Sequence, residues 1–414
     1  MSTTPTAFLD RKPAKSSALG LLFDLGPKLL LGIAVALPLE MAIRDGFLLA
    51  LGNSPVLAFF MIGSFAIHMW TRPGWRELGG VIGAGLALAL CFTAFVMRSG
   101  QSMVVMCGSF AGVGSLAVLA GRGMLGSEEE RREKFSTLAA AGVLPTLWII
   151  TAYSVKLTTS LYPSTYDLYL FAFDGSLGFH PSFLAGQLFL YCPPIQFASA
   201  LVYLALPLGV SMLYGWHRVN THRLPVNVLM LFLATSILGF QMYYFVPATG
   251  PLYAFPNAFP WNPPDLRMLS LHPLGLPPAP RNAMPSLHAA AALLVFWNSL
   301  VWPRWARVLC GVFLFLTLLA TLGLGEHYFV DLVVAVPLSL ALQAGFSASL
   351  PWRAPERWNA VLLGGSLVGL WFVFLRMGAP LYRVSPAIGW IAVAGTLAPC
   401  ILALRRLRRT YSAA

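Results

Sequence analysis

The chain has 414 residues, 57% of them hydrophobic and only 10% charged, with a formal charge of +12. Soluble domains carry about 25% charged residues, so too little polar surface is available to cover a water-soluble body of this size. The positive balance does not call for nucleic acid, because Lys- and Arg-rich loops are what the cytoplasmic side of a membrane protein carries.

A polar, basic N-terminus (Arg11, Lys12, Lys15) leads into an apolar stretch that runs to about Met41. The core of a cleavable signal is only about 7–15 residues long, so this stretch reads as a retained first helix. Apolar runs of the ~17–25 residues that cross a bilayer then recur along the chain. Twelve spans are expected, at 20–43, 47–70, 78–97, 102–121, 137–155, 194–214, 224–246, 286–302, 306–324, 328–349, 358–376 and 385–404. Twelve Trp and thirteen Tyr suit the two interfaces. With the N-terminus inside, 19 of the 27 Lys and Arg residues fall on the inner side and seven on the outer side: Arg44, Arg98, Lys156, Arg267, Arg281, Arg376 and Arg383. The remaining one, Lys28, lies within the first span. That asymmetry places both termini in the cytoplasm.

The charged loop 122–135 separates four N-terminal spans (1–121) from a six-span region at 137–350, and a two-span extension with a basic tail follows at 358–414. Two long segments face outward. In 156–193, Asp167 and Asp174 are seven apart and share a helical face. They read as structural parts of an amphipathic interfacial helix, followed by a half-inserted stretch at 181–193. The segment 247–285 is rich in Pro and Gly and cannot be regular helix; long irregular loops of this kind are commonly functional. The five cysteines (Cys91, Cys107, Cys192, Cys310, Cys400) have neither metal-ligand nor disulfide-framework spacing. Gly79/Gly83, Gly108/Gly112 and Gly365/Gly369 have small-xxx-small spacing, a weak helix-packing signal.

Chemistry concentrates at two span openings, Arg281-Asn282-Ala283-Met284-Pro285-Ser286-Leu287-His288 and Gly325-Glu326-His327-Tyr328-Phe329-Val330-Asp331. Two short spans and a tight turn separate the histidines, so both end at one interface. His327 and Asp331 are four apart and share a helix face. The carboxylate can then accept from one ring nitrogen and leave the other as a nucleophile. His288 can supply a proton to a leaving oxygen. Ser286 suits a helix N-cap, whose free N–H groups cradle phosphate. Arg281 and Lys156 are candidate cations for phosphate oxygens. For these two cations, lodging in the headgroup layer is an equal reading. A lone interfacial His is usually inert, but two at one interface with a helical Asp form a constellation.

At these residues the chain resembles the type 2 phosphatidic acid phosphatase superfamily. Pro285-Ser286-Leu287-His288 matches its Pro-Ser-x-His motif, and His327 through Asp331 matches its His-x-x-x-Asp motif. The strings Ser286-Leu287-His288-Ala289 and His327-Tyr328-x-x-Asp331-Leu332 look most like the inositol phosphorylceramide synthase branch and its bacterial relatives. The resemblance covers roughly 137–350. It implies an all-α, polytopic fold with a six-helix core and a phosphohistidine on His327. It further implies head-group transfer on a lipid phosphoester, with an alcohol or water as acceptor, at the outer face of a bacterial inner membrane. No cofactor, metal or nucleic acid is implied. Thr321 stands where the phosphatase branch has an Arg, and Pro163 stands at the Arg position of its first motif counted from Lys156. Both departures point toward the synthase branch. The alternatives are a lipid phosphate or polyprenyl pyrophosphate phosphatase and, in another class, a proton-coupled transporter using the His–Asp pair. The transporter reading expects two similar halves, and no internal repeat is found.

Overall fold

Serine and asparagine side chains open several of the helices. Ser54, Ser102, Ser127, Asn227 and Ser286 each accept the backbone N–H three residues on, which satisfies one of the free donors of a first turn. Residues 32, 35–96, 102–220 and 226–413 are described in this computed structural model. Arg11, Lys12, Lys15, Lys28, Arg98, Arg223 and most of the first expected span lie outside the described residues.

The chain is 76% helical. Its main helices are α1 (Pro55–Met69), α2 (Trp75–Val96), α3 (Met103–Leu125), α4 (Glu128–Leu161), α5 (Asp167–Ser176), α6 (Pro181–Tyr191), α7 (Pro193–Leu204), α8 (Leu206–Val219), α9 (Val228–Met242), α10 (Leu287–Ser299), α11 (Arg304–Gly323), α12 (Phe329–Gly345), α13 (Pro355–Met377) and α14 (Pro386–Ala413). A two-residue ladder pairs β1 (Ser164–Thr165) antiparallel with β2 (Leu274–Gly275) and ties the two outer segments together. The lengths and apolar character make this an integral membrane protein.

Among the described residues, six helices are long and apolar enough to cross a bilayer, or eight if two sharply bent pairs count as one span each. The expected twelve are not found by that measure. Three helices that carry or flank the site, α9, α10 and α12, have 15, 13 and 17 residues. At 1.5 Å per residue they reach roughly 20–26 Å, short of a ~30 Å hydrocarbon core. The span expected at 194–214 is two helices, α7 and α8, and α6 and α7 meet at a 117° bend. Nor is α5 amphipathic at a surface: Asp167, Leu168, Leu170, Phe171, Ala172, Phe173 and Asp174 are all buried.

Helices α1 to α4 pack on one another and dock on the rest through α1 against α8 and α4 against α9. Gly112 lets α3 approach α1 so closely that a Cβ there would lie 2.3 Å from the Met61 carbonyl oxygen. Around α12 stand α5, α9, α10, α13 and α14. At one end of the N-terminal bundle, buried Glu77 accepts from Lys134 Nζ (2.8 Å) and Arg122 Nη1 (2.6 Å) and lies 3.0 Å from His68 Nε2. Removing one partner of a buried pair strands the other and costs about 3–5 kcal/mol. Glu77→Ala and Lys134→Ala should therefore each lower the melting temperature in detergent. The double variant should lose less than the sum; strict additivity would show that the pair is not coupled.

Candidate active site

Two irregular segments, 247–252 and 325–328, interlock to build the site. Gly250 (φ 95°) and Gly325 (φ 75°) are both left-handed, a conformation that glycine adopts freely. A Cβ on Gly250 would meet the Glu326 carbonyl oxygen at 2.4 Å, and the Leu252 amide donates to the Gly325 carbonyl at 3.0 Å. The buried Asp167 carboxylate accepts from the amides of Thr249 (3.1 Å) and Gly250 (2.9 Å) and from the Tyr328 hydroxyl (2.9 Å). Asp174 accepts from the Phe329 (2.7 Å) and Val330 (3.1 Å) amides and so caps the start of α12. Sequence reading gave these two aspartates no part in the site. The signal available was the Thr249-Gly250-Pro251 turn, whose amides need an acceptor once buried.

His327 is 2% exposed. Its amide donates to the Thr321 carbonyl (3.2 Å), and its own carbonyl accepts from Ser182 Oγ (2.8 Å). The Nδ1 atom lies 2.9 Å from the Ala283 carbonyl oxygen. A carbonyl only accepts, so Nδ1 carries the proton and Nε2 carries the lone pair. Ser286 Oγ stands 3.3 Å from Nε2, while it also accepts the Ala289 amide at the opening of α10. Asp331 is next to the ring, but its Oδ2 is 3.5 Å from Nδ1 and instead accepts the Tyr328 amide at 2.7 Å. The expectation that Asp331 alone fixes the tautomer is therefore corrected, because the Ala283 carbonyl holds the proton. Asp331 Oδ1 is buried without a hydrogen-bond partner among the described residues.

His288 stacks on Tyr203 of α7 with centroids 3.8 Å apart, and its ring makes no hydrogen bond among the described residues. The Tyr253 hydroxyl lies 3.3 Å from Glu326 Oε1. Burial pushes Glu326 above the usual carboxylate range. Burial also lowers His327 to about 4, with the neighbouring Glu326 charge and the Ala283 carbonyl acting the other way. The imidazole is therefore neutral at physiological pH.

The two expected phosphate-binding cations are otherwise engaged. Arg281 is 1% exposed, and its guanidinium donates to the carbonyls of Tyr162 (3.1 Å), Ala279 (3.0 Å), Leu276 (3.2 Å) and Pro277 (3.3 Å). It clamps the loop that delivers Ala283. Lys156 has a side chain 60% exposed and pairs with Asp45. Among the described residues no Lys or Arg makes a hydrogen bond or ion pair with the side chains of His288, His327, Ser286 or Asp331. The structure thus brings His327, Ser286 and Asp331 into one site with His288 beside them, and leaves Arg281 and Lys156 out of contact.

Residues 168–345, which contain His288, His327 and Asp331, match the family model described as PAP2 superfamily. No curated protein and no solved structure matches the chain. The match supports the superfamily and is consistent with lipid phosphatase or phosphotransferase activity.

Arg281→Ala would take their donor from the Tyr162, Leu276 and Pro277 carbonyls, while Ala279 keeps the Thr159 hydroxyl, at about 1–3 kcal/mol for a buried group left unpaired. The expected outcome is a lower melting temperature together with lower turnover. A raised KM with unchanged melting would instead return Arg281 to the phosphate.

Proposed function

We propose that this chain is a membrane-embedded phosphotransferase acting on lipid phosphoesters, with His327 as nucleophile. The observation that carries the reading is the bond from Nδ1–H to the Ala283 carbonyl, which leaves a neutral Nε2 lone pair at the N-terminus of α10. Nε2 attacks phosphorus, the bond to the leaving oxygen breaks, and His288, which has to enter this step as the protonated imidazolium, gives that oxygen a proton. The positive charge formed on the phosphorylated ring is met by the Asp331 carboxylate 3.5 Å from Nδ1. An alcohol then attacks phosphorus, its proton passes to His288, and the P–N bond breaks. Ser286 Oγ and the first amides of α10 receive the non-bridging oxygens.

Transfer is favoured over hydrolysis by the charge of the site. With Thr321 and Pro163 at the arginine positions of the phosphatases, a singly charged phosphodiester is easier to hold than a dianionic monoester. The superfamily match keeps hydrolysis of a lipid phosphate as the second reading. The inositol phosphorylceramide synthase-like branch is the closer resemblance, and the basic-residue asymmetry supports cytoplasmic termini and a site on the outer face of a bacterial inner membrane.

The test is acid-labile phosphate trapped on the protein after rapid quench with a radiolabelled lipid phosphodiester. His327→Ala should carry none. His288→Ala should turn over a lipid substrate roughly 10²–10⁴-fold more slowly but keep most of its rate on an activated aryl phosphate. Asp331→Asn should label slowly. Label that survives in His327→Ala and vanishes in His288→Ala would swap the roles.

The pH profile follows from burial. Above its folded pKa His327 is neutral and competent, and below it the lone pair is protonated. Single-turnover labelling with the aryl phosphate, which needs no leaving-group proton, should therefore lose rate near pH 4, where burial places His327. An acid limb near the ordinary imidazole value of about 6.5 would show that the ring is solvated during attack.

A further inference from the structure

Along the face formed by α9, α12 and α13 runs a groove of about 720 Å³, within the range of small-molecule sites. Met242 and Phe245, then Ala341 and Phe346, line two of its walls, and Gly365 and Gly369 form part of the third. Among the described residues, Arg376 is its one charged lining residue. The glycines divide the work on α13. A Cβ on Gly364 would lie 2.4 Å from the Pro337 carbonyl oxygen, so that residue seals α13 against α12. A Cβ on Gly365 or Gly369 would meet nothing within 4 Å. The small-xxx-small pair therefore hollows a channel and does not pack a helix.

From Val361 to Arg376, both lining residues, α13 rises roughly 22 Å, most of a hydrocarbon core ~30 Å thick. The groove is thus long, narrow and apolar, and among the described residues it is charged only at the end that carries the loops of the candidate site. There the Arg376 guanidinium stacks on the Tyr166 ring at 4.4 Å. Arg376 is exposed, and among the described residues no acceptor takes its N–H groups. Tyr166 in turn precedes Asp167, and its amide donates to the Pro247 carbonyl at the start of the site loop.

We propose that this groove is a lipid seat: one hydrocarbon chain lies along Gly365 and Gly369, and an anionic phosphate headgroup meets Arg376. Charge complementarity selects this occupant over a helix of a second copy, which would bring apolar surface but no partner for the guanidinium. The proposal does not depend on the chemistry of His327.

The test uses the full chain in phosphatidylcholine vesicles with trace phosphatidylglycerol carrying a photoactivatable group in its acyl chain, and the zwitterionic phosphatidylcholine analogue as control. Peptide mapping should place label on 338–346 and 361–373 well above the lipid-facing surface of α11 (Val308, Leu309, Phe315). The anionic probe should label about tenfold more than the control, the scale of one charge-assisted contact. Arg376→Ala should erase that preference. Gly365→Leu with Gly369→Leu, which grow into open space, should remove the label from the groove. Equal labelling of α11 and α13, or label undiminished in the double Leu variant, would overturn the proposal and leave bulk lipid only. So would a Gly369→Cys cross-link to another copy or to residues 20–34, which would make protein the occupant. Should the double Leu variant fail to fold, the Arg376→Ala comparison decides alone.

Discussion

The site depends on two buried carboxylates from one short helix. Asp167 holds the amides of Thr249 and Gly250 and the hydroxyl of Tyr328, and Asp174 holds the first amides of α12. Each of these donors would otherwise sit in a dry interior at about 1–3 kcal/mol. Burial pushes both aspartates above the ordinary carboxylate range, while their backbone donors pull them down. The register of His327 follows from these bonds. Tyr328 is pinned on one side by Asp167 and on the other by Asp331, so the preceding imidazole has little freedom to leave the Ala283 carbonyl.

Much of this site was legible in the sequence because it is local. Ser286 as an N-cap needs only local geometry and occurs. His327 and Asp331 do come together, 3.5 Å apart, but not on one helix face, since the helix opens at Phe329 and His327 precedes its N-cap Tyr328. The partner of the His327 ring was not legible, because the Ala283 carbonyl is 44 positions away and any residue supplies a carbonyl. Arg281 misled for a related reason. An arginine next to a phosphate motif suggests an anion, but its five donors also suit a loop whose prolines bend carbonyls inward, and that is where they go. Asp167 and Asp174 were placed on one helix face, but as interfacial residues. What turns them inward is the burial of α5 against α12, α13 and α14, a contact between segments more than 150 residues apart. Twelve spans are not confirmed among the described residues, because hydropathy cannot see α10 and α12 stop short where the loops enter, nor α6 and α7 meet at a sharp bend.

The charge around His327 constrains the proposed chemistry more than the shape of the site does. Asp167, Asp174 and Asp331 all act on Tyr328, and Glu326 lies beside His327. A phosphate arriving here adds negative charge to a region that already holds four acids and, among the described residues, no contacting cation. Three features lessen that conflict. Burial raises Glu326, as it raises Asp167 and Asp174, toward the neutral form. The N-terminus of α10 contributes roughly half a positive charge through its aligned peptide dipoles. The third is the reaction itself. In the proposed reaction the ring becomes cationic when Nε2 bonds to phosphorus, and Asp331, with one oxygen unpartnered among the described residues, is positioned to stabilise that cation. The arrangement is thus better matched to the proposed phosphohistidine than to the free imidazole with a distant phosphate. Preferential stabilisation of what forms over what binds is the condition for catalysis.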